Sequence, residues 1–206
     1  MVTVNQTGAR PYRGVQPADR KAERRGRLLD AGLSILGSSP SVELTVRGLC
    51  RSANVSARYF YESFSDRDEF VGAVYDWVIG GLATTIQAAV AAAPADEQAG
   101  AAMSALVCAI VDDPRVGRLV FSIELADPVV VRKRDEGTAL MATLLGRHIG
   151  EAFQVPEGEN VRAVTHFAVG GVRQTFSAWL AGQVALTPDE LVDQLAWSID
   201  RLRPSR

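Results

Sequence analysis

The chain is poor in cysteine: Cys50 and Cys108 are the only two among 206 residues, far apart in apolar surroundings. That excludes a disulfide framework, offers no metal-ligand spacing and makes a reducing cytoplasm the default compartment. Histidine is as scarce, at two. Neither H-E-x-x-H nor G-x-S-x-G occurs, which removes the metalloprotease and serine-hydrolase machinery those patterns carry. The first twenty residues, MVTVNQTGARPYRGVQPADR, have no apolar run, which argues against a secretory signal. Long hydrophobic stretches are also missing. Only 77–95 goes 19 positions without a charge, and Gly80, Gly81, Thr84, Thr85, Gln87, Pro94 and many alanines dilute it. Its driving force for insertion is low, so it reads as a buried bundle helix and no membrane is expected as a partner. No alternating run is long enough for a strand pair, and there are no internal repeats. An all-α fold is what remains.

What is present is an uneven distribution of charge. The formal net charge is only -2, yet residues 1–67 hold 11 Lys and Arg against 6 Asp and Glu, while 68–206 hold 11 against 18. A basic module suited to a polyanion is joined to an acidic body that is not. The first 18 residues contain two prolines and two glycines and no helical period, and read as a mobile arm.

Helix signals follow in order. From Asp19, Leu28, Ala31, Gly32, Ile35 and Leu36 recur on one face. Thr45 is a good N-cap for a short helix, VRGLCRSA. Asn54 suits a tight turn that needs one residue at positive φ. Ser56 caps ARYFYESF, and Ser65 with Asp68 three residues on resembles a capping box opening a long helix to about Ala93. Two short helices about four residues apart have helix-turn-helix spacing. Further helices are expected at about 96–112, 114–125, 128–154, 160–182 and 188–203, divided by Asp113-Pro114, Asp127-Pro128, Val155-Pro156 and Thr187-Pro188, because the residue before proline avoids the α region. The sharpest start is TPDE at 187–190, with an N-cap Thr, Pro at the first helical position and Glu third. About nine helices result.

Aromatic residues are only 7% of the chain, yet four of the seven residues 58–64, RYFYESF, are rings. Phe60 and Phe64 are four apart and share a face that, with Val55, packs toward Leu49 and Leu36. Arg58, Tyr59, Glu62 and, obliquely, Tyr61 then turn outward. An Arg forking onto guanine, tyrosine hydroxyls on phosphate and a ring against a thymine methyl suit a DNA major groove.

The run TVRGLCRSANVSARYFYESFSDRDEF resembles the DNA-binding signature of the TetR family of bacterial transcriptional regulators. The likeness covers about 20–75. It implies a mobile arm at 1–18, a three-helix DNA-binding domain at 19–65 and a helical effector-binding and dimerisation domain at 66–206. It also implies a repressor acting as a homodimer on a palindromic duplex operator and released by a small, largely apolar effector, with no cofactor, metal or catalysis. By position, Thr45 and Arg47 resemble residues that meet the DNA backbone. Ser56, Ala57, Arg58 and Tyr59 match the start of the recognition helix, Tyr61 a phosphate-binding tyrosine, and Arg67 a lysine near phosphate. The chain departs from the pattern in three places: Ala57 for a frequent Lys, Asn54 for Gly, and Glu62 where His is common. Arg10 and Arg13 of the arm reach a minor groove or stay solvated.

In the body, the resemblance implies an effector pocket among Met103, Phe121, Met141, Leu145, His148, His166 and Phe167. Gly170 and Gly171 each cost a helix about 1 kcal/mol relative to Ala, which close approach of a second helix would offset. With Phe176, Trp179, Leu180, Leu191, Leu195, Ile199 and Leu202 they form the expected dimer face, a four-helix bundle across a two-fold axis. Two other classes stay open. His148 and Glu151 form H-x-x-E on one helical face, a metal pair without a third ligand. A helical interaction protein without DNA binding is the second, favoured by Ala57 and Glu62.

Overall fold

The structure, a computed structural model, describes residues 17–38, 43–153 and 158–202; the side chains of 17–19 and 148–153 fall outside that description, as do Arg10 and Arg13. Nine α-helices and no strand make up the described residues: α1 (Pro17–Leu36), α2 (Val46–Ser52), α3 (Ala57–Tyr61), α4 (Arg67–Ala92), α5 (Gln98–Asp112), α6 (Pro114–Phe121), α7 (Pro128–Phe153), α8 (Glu159–Leu180) and α9 (Pro188–Arg201). The starts obey local chemistry. Thr187 accepts from the Glu190 amide at 3.3 Å while the Glu190 carboxylate accepts from the Thr187 amide at 2.8 Å, the expected reciprocal box. Asp113 caps α6 by accepting from the Arg115 amide at 3.1 Å, with Pro114 following.

Three local expectations need correcting. The N-cap of α4 is Asp66, not Ser65: its carboxylate accepts from the Glu69 amide at 2.8 Å. Ser65 sits outside the helix and donates its amide and hydroxyl to Glu69 at 2.7 and 2.6 Å. Those bonds favour the ionised form and lower the Glu69 pKa. The other two corrections are of length. α3 stops at Tyr61 rather than Phe64, and α6 stops at Phe121, where Ser122 turns extended.

Two cores hold the helices. The first gathers Leu28, Leu36, Leu49, Val55, Phe60 and Phe64 with Phe70, Val71 and Val74 of α4, Leu119 of α6, and Val129 and Val130 of α7. It crosses the expected domain boundary at 65/66. The second joins Met103, Leu106, Val107 and Ile110 of α5 to Phe176 of α8 and Leu191 and Leu195 of α9. Leu82 and Phe121 pack against both cores. Among the described residues no helix is long and apolar enough to cross a membrane.

Candidate nucleic-acid interface

Asn54 alone among the described non-glycine residues has positive φ, at 51°, and Asn tolerates that left-handed well better than most L-residues. The turn is closed by the Val55 amide donating to the Cys50 carbonyl at 2.9 Å. It sends the chain from α2 into α3. Val55 and Ala53 are buried beneath it.

α3 is held by rings. Phe60 is fully buried, with centroids 5.6 Å from Phe64 and 5.5 Å from Phe70; Phe64 and Phe70 meet edge-on at 4.9 Å. Tilted and edge-on pairs at these spacings add to the burial energy. With Phe60 inward, residues two before it and one to either side must point elsewhere. The Arg58 side chain is 85% exposed, Tyr61 60% and Tyr59 38%. Ser56 and Ala57 are exposed as well, and the Ser56 hydroxyl makes no cap bond, leaving it available outward. At the start of α2, Thr45 caps by accepting from the Gly48 amide at 3.2 Å while remaining exposed, and Arg47 is exposed two positions on. The loss of Oγ1 there would also cost helix stability.

Arg67 departs from expectation. Its guanidinium donates to the Leu44 carbonyl at 3.2 Å, to Asp68 at 2.8 Å, and to Asp127, which is largely buried. The Asp127 hydrogen bond is the main reason its pKa is raised. It is a strut tying α4 to the segment just before α2 and to the α6–α7 corner, so its guanidinium is already engaged by protein acceptors. Its partner stands 60 residues away, beyond any local signal.

Other residues were not legible as part of the site. The Arg24 guanidinium lies over the Tyr59 ring at 4.2 Å and Arg25 over Phe64 at 5.1 Å, so the basic first half of α1 backs α3 and the turn after it. The charge surplus of the first 67 residues was the only sequence sign of this. Glu62 accepts from Arg58 Nε at 2.9 Å.

Two arginines bind the body to this head, and a third stiffens the body behind them. Arg115 engages Asp113 at 2.7 Å, the Ser34 hydroxyl at 2.6 Å and Asp30 at 3.2 Å, which fixes the start of α6 to α1. The Arg115 hydrogen bonds hold the Asp113 carboxyl below the usual carboxylate range. Arg118 donates to the Gly37 carbonyl at the end of α1. Arg134, buried on α7, donates to the carbonyls of Leu119 at 2.6 Å, Arg118 at 3.1 Å and Leu125 at 3.1 Å, and so caps the C-terminus of α6. Burial pulls its pKa down to about 10.

Among the described side chains, the expected effector-pocket residues are not brought together. Met103 is buried in the second core and Phe121 stacks on Phe176 at 4.9 Å. Met141 and His166 are exposed, Leu145 is half-buried, and Phe167 is 68% exposed on the opposite side of α8 from α7. The His148 side chain lies outside the described residues, as does that of Glu151. The face of α7 that meets α8 carries Ala142 and Gly146; Met141 is a third of a turn away, a phase that apolar spacing alone did not reveal. A hollow of about 120 Å³ lies between α7 and α8, lined by Thr143, Gly146, Arg147, Arg162, Thr165 and His166 among others. It is below the roughly 300 Å³ at which ligand sites begin. Among the described residues no group of three metal-ligating side chains occurs.

The residues of the expected dimer face divide between buried and accessible positions. Phe176, Leu191 and Leu195 are buried inside the protomer, in the core that α5 forms with Phe121 of α6, and cannot meet a twin. Trp179, whose indole donates to the Leu186 carbonyl at 2.8 Å, packs on the same core with Leu180 and Ile199; Leu202 is half-buried. The buried ones look inward because α6 lies against α8, where Phe121 stacks on Phe176, and α5 lies against α9. Gly170 and Gly171 do point outward, beside Phe167, and nothing within the protomer comes within 4 Å of a methyl placed on either.

No family model matches the chain and no curated protein matches it. Solved structures do. A proposed TetR-family transcriptional regulator from Syntrophomonas wolfei aligns over 88% of this chain and 95% of its own, with TM-score 0.72 at 13% identity. A TetR-like transcriptional regulator from Rhodococcus sp. RHA1 aligns over 86% and 94%, with TM-score 0.63 at 14% identity.

The chain has the TetR fold.

A third protein with this fold, the transcriptional regulator FadR from Bacillus subtilis, was solved in complex with stearoyl-CoA; it aligns over 86% of this chain and 97% of its own, with TM-score 0.64 at 16% identity. The TetR fold accounts for the order of parts here, a helix-turn-helix head followed by a helical body.

Proposed function

We propose that this chain is a sequence-specific DNA-binding transcriptional regulator of the TetR type, acting as a homodimeric repressor. The observation that carries the reading is the division of α3. Phe60 and Phe64 are sunk in the core, while Arg58, Tyr59 and Tyr61 protrude beside the exposed Thr45 and Arg47. One five-residue helix reads too few bases alone, and a two-fold pair with recognition helices about 34–36 Å apart would read a palindrome. The outward face of α8 around Phe167, Gly170 and Gly171 supports a second copy there: a protruding ring beside two glycines is a surface that can fit its own symmetry mate.

The arginine ties suggest how a body could control the head. Shifting α6 or the start of α7 pulls on α1 through Arg115 and Arg118 and on α4 through Arg67. An effector in the body then alters the separation of the recognition helices only as far as it binds the two dimer states unequally. Stearoyl-CoA in a protein of this fold makes a long acyl chain a reasonable first candidate.

Gel-shift titration with genomic fragments between low and moderate salt tests the proposal. Binding should fall steeply with salt, because displaced counterions accompany each phosphate contact. Absence of any fragment bound more tightly than bulk DNA would leave the alternative, a helical interaction protein.

A further inference from the structure

Glu62 stands where a DNA-reading helix should not want a negative charge. It lies on the outward face of α3, one turn from Arg58, and a carboxylate there repels phosphate. Its partner explains it. Arg58 Nε and Glu62 Oε1 are 2.9 Å apart, with the two side chains 85% and 44% exposed. Among the described residues, Glu62 is the sole ion-pair partner of Arg58, and Arg58 is the only cation in α3.

The atom that is engaged matters. A guanidinium has five N–H donors in a fixed plane, and a bond at Nε leaves the four on Nη1 and Nη2. Those terminal donors form the end-on fork that matches guanine O6 and N7. Glu62 engages Nε, so the fork on Nη1 and Nη2 is left for a ligand while the Arg58 side chain stays 85% exposed. An exposed surface ion pair of this kind contributes little to stability. Its effect is to reduce the number of orientations Arg58 must abandon on binding.

Resting on the DNA-binding reading, we infer that Arg58 and Glu62 form one guanine-reading unit in which Arg58 touches the base and Glu62 is a positioning residue. Glu62 also raises specificity from the other side, since its charge disfavours contacts that present phosphate instead of a base edge.

The test selects duplexes from a random-sequence library with the full chain, then measures affinities by fluorescence anisotropy on the selected site, on versions with single base-pair changes and on scrambled DNA. The wild type should require guanine at one position of each half-site. Arg58→Ala and Arg58→Lys should lose about 10- to 100-fold of that preference, because neither can make the fork. Glu62→Ala should lose about 2- to 10-fold, the cost of ordering a free arginine, while binding to scrambled DNA rises. Glu62→Gln, still able to accept from Nε, should recover part of the preference. Combining Arg58→Ala with Glu62→Ala should discriminate no worse than Arg58→Ala alone. A site that demands guanine in the wild type and equally in Glu62→Ala overturns the inference while leaving DNA binding intact. So does a Glu62→Ala loss that is equal on every duplex. A wild-type chain that enriches no sequence overturns the DNA reading and this inference together.

Discussion

Phe60→Ala tests the arrangement on which α3 depends. The ring has no solvent exposure and three aromatic neighbours within 5.6 Å, Tyr61 edge-on at 5.2 Å besides Phe64 and Phe70. Removing a fully buried phenyl costs about 3–5 kcal/mol, transfer and cavity terms together. The upper end applies where surroundings cannot collapse, and here rigid rings from α3 and α4 line the gap. For a chain of this size about 4 kcal/mol corresponds to a melting shift of about 8–16 °C if unfolding is one transition. Because the same cluster includes α1, α4, α6 and α7, the loss should appear in the main transition and not as a separate early melt of the head. Thermal circular dichroism at 222 nm measures it, with Tyr61→Phe as the exposed control that leaves the midpoint unchanged. DNA affinity should fall for both variants, for different reasons. An unchanged midpoint in Phe60→Ala would refute the claim that this ring anchors the recognition helix.

Three further outcomes follow from the packing. Gly32→Ala should destabilise despite the better helix propensity of Ala, by about 1–3 kcal/mol in urea titration, because the new methyl would sit 2.6 Å from the Phe70 ring and 2.7 Å from Val74. Gly170→Leu should leave the protomer folded, since the site is open within it, but shift sedimentation from dimer to monomer if the α8 face meets a twin. Asp113 has its pKa lowered by Arg115, so its contribution is full above the unfolded carboxylate pKa near 4 and is lost as pH falls through the lower folded value. The acid-unfolding curve of Asp113→Asn should accordingly be flatter below about pH 4 than that of the wild type.

Much of the helical framework was legible because its signals act over three or four residues. Thr187 with Pro188 and Glu190, Asp113 with Pro114, and Thr45 with Gly48 each satisfy amides in their own first turn, whatever the rest of the chain does. The helix-turn-helix head was legible for the same reason: Asn54, the Phe60–Phe64 spacing and the outward Arg58 are properties of one short segment. The slip at the start of α4, Ser65 for Asp66 as cap, arose where two competent acceptors are adjacent and Glu69 serves both.

The sequence by itself thus determined where most helices lie and which face of α3 is apolar. Only the tertiary structure decided which apolar faces of α7, α8 and α9 turn inward, and the reason is phase. Leu191, Leu195 and Phe176 would suit a partner as well as a core, and α5 and α6 claim them in the protomer, leaving Phe167 and the two glycines outside. Likewise Arg67 carries the same local context as a phosphate-binding residue, and it is Asp127, brought close by the packing of α4, α6 and α7, that makes it a strut. A side chain's hydrophobicity says that it will be covered; what covers it is settled by helices that meet from distant parts of the chain.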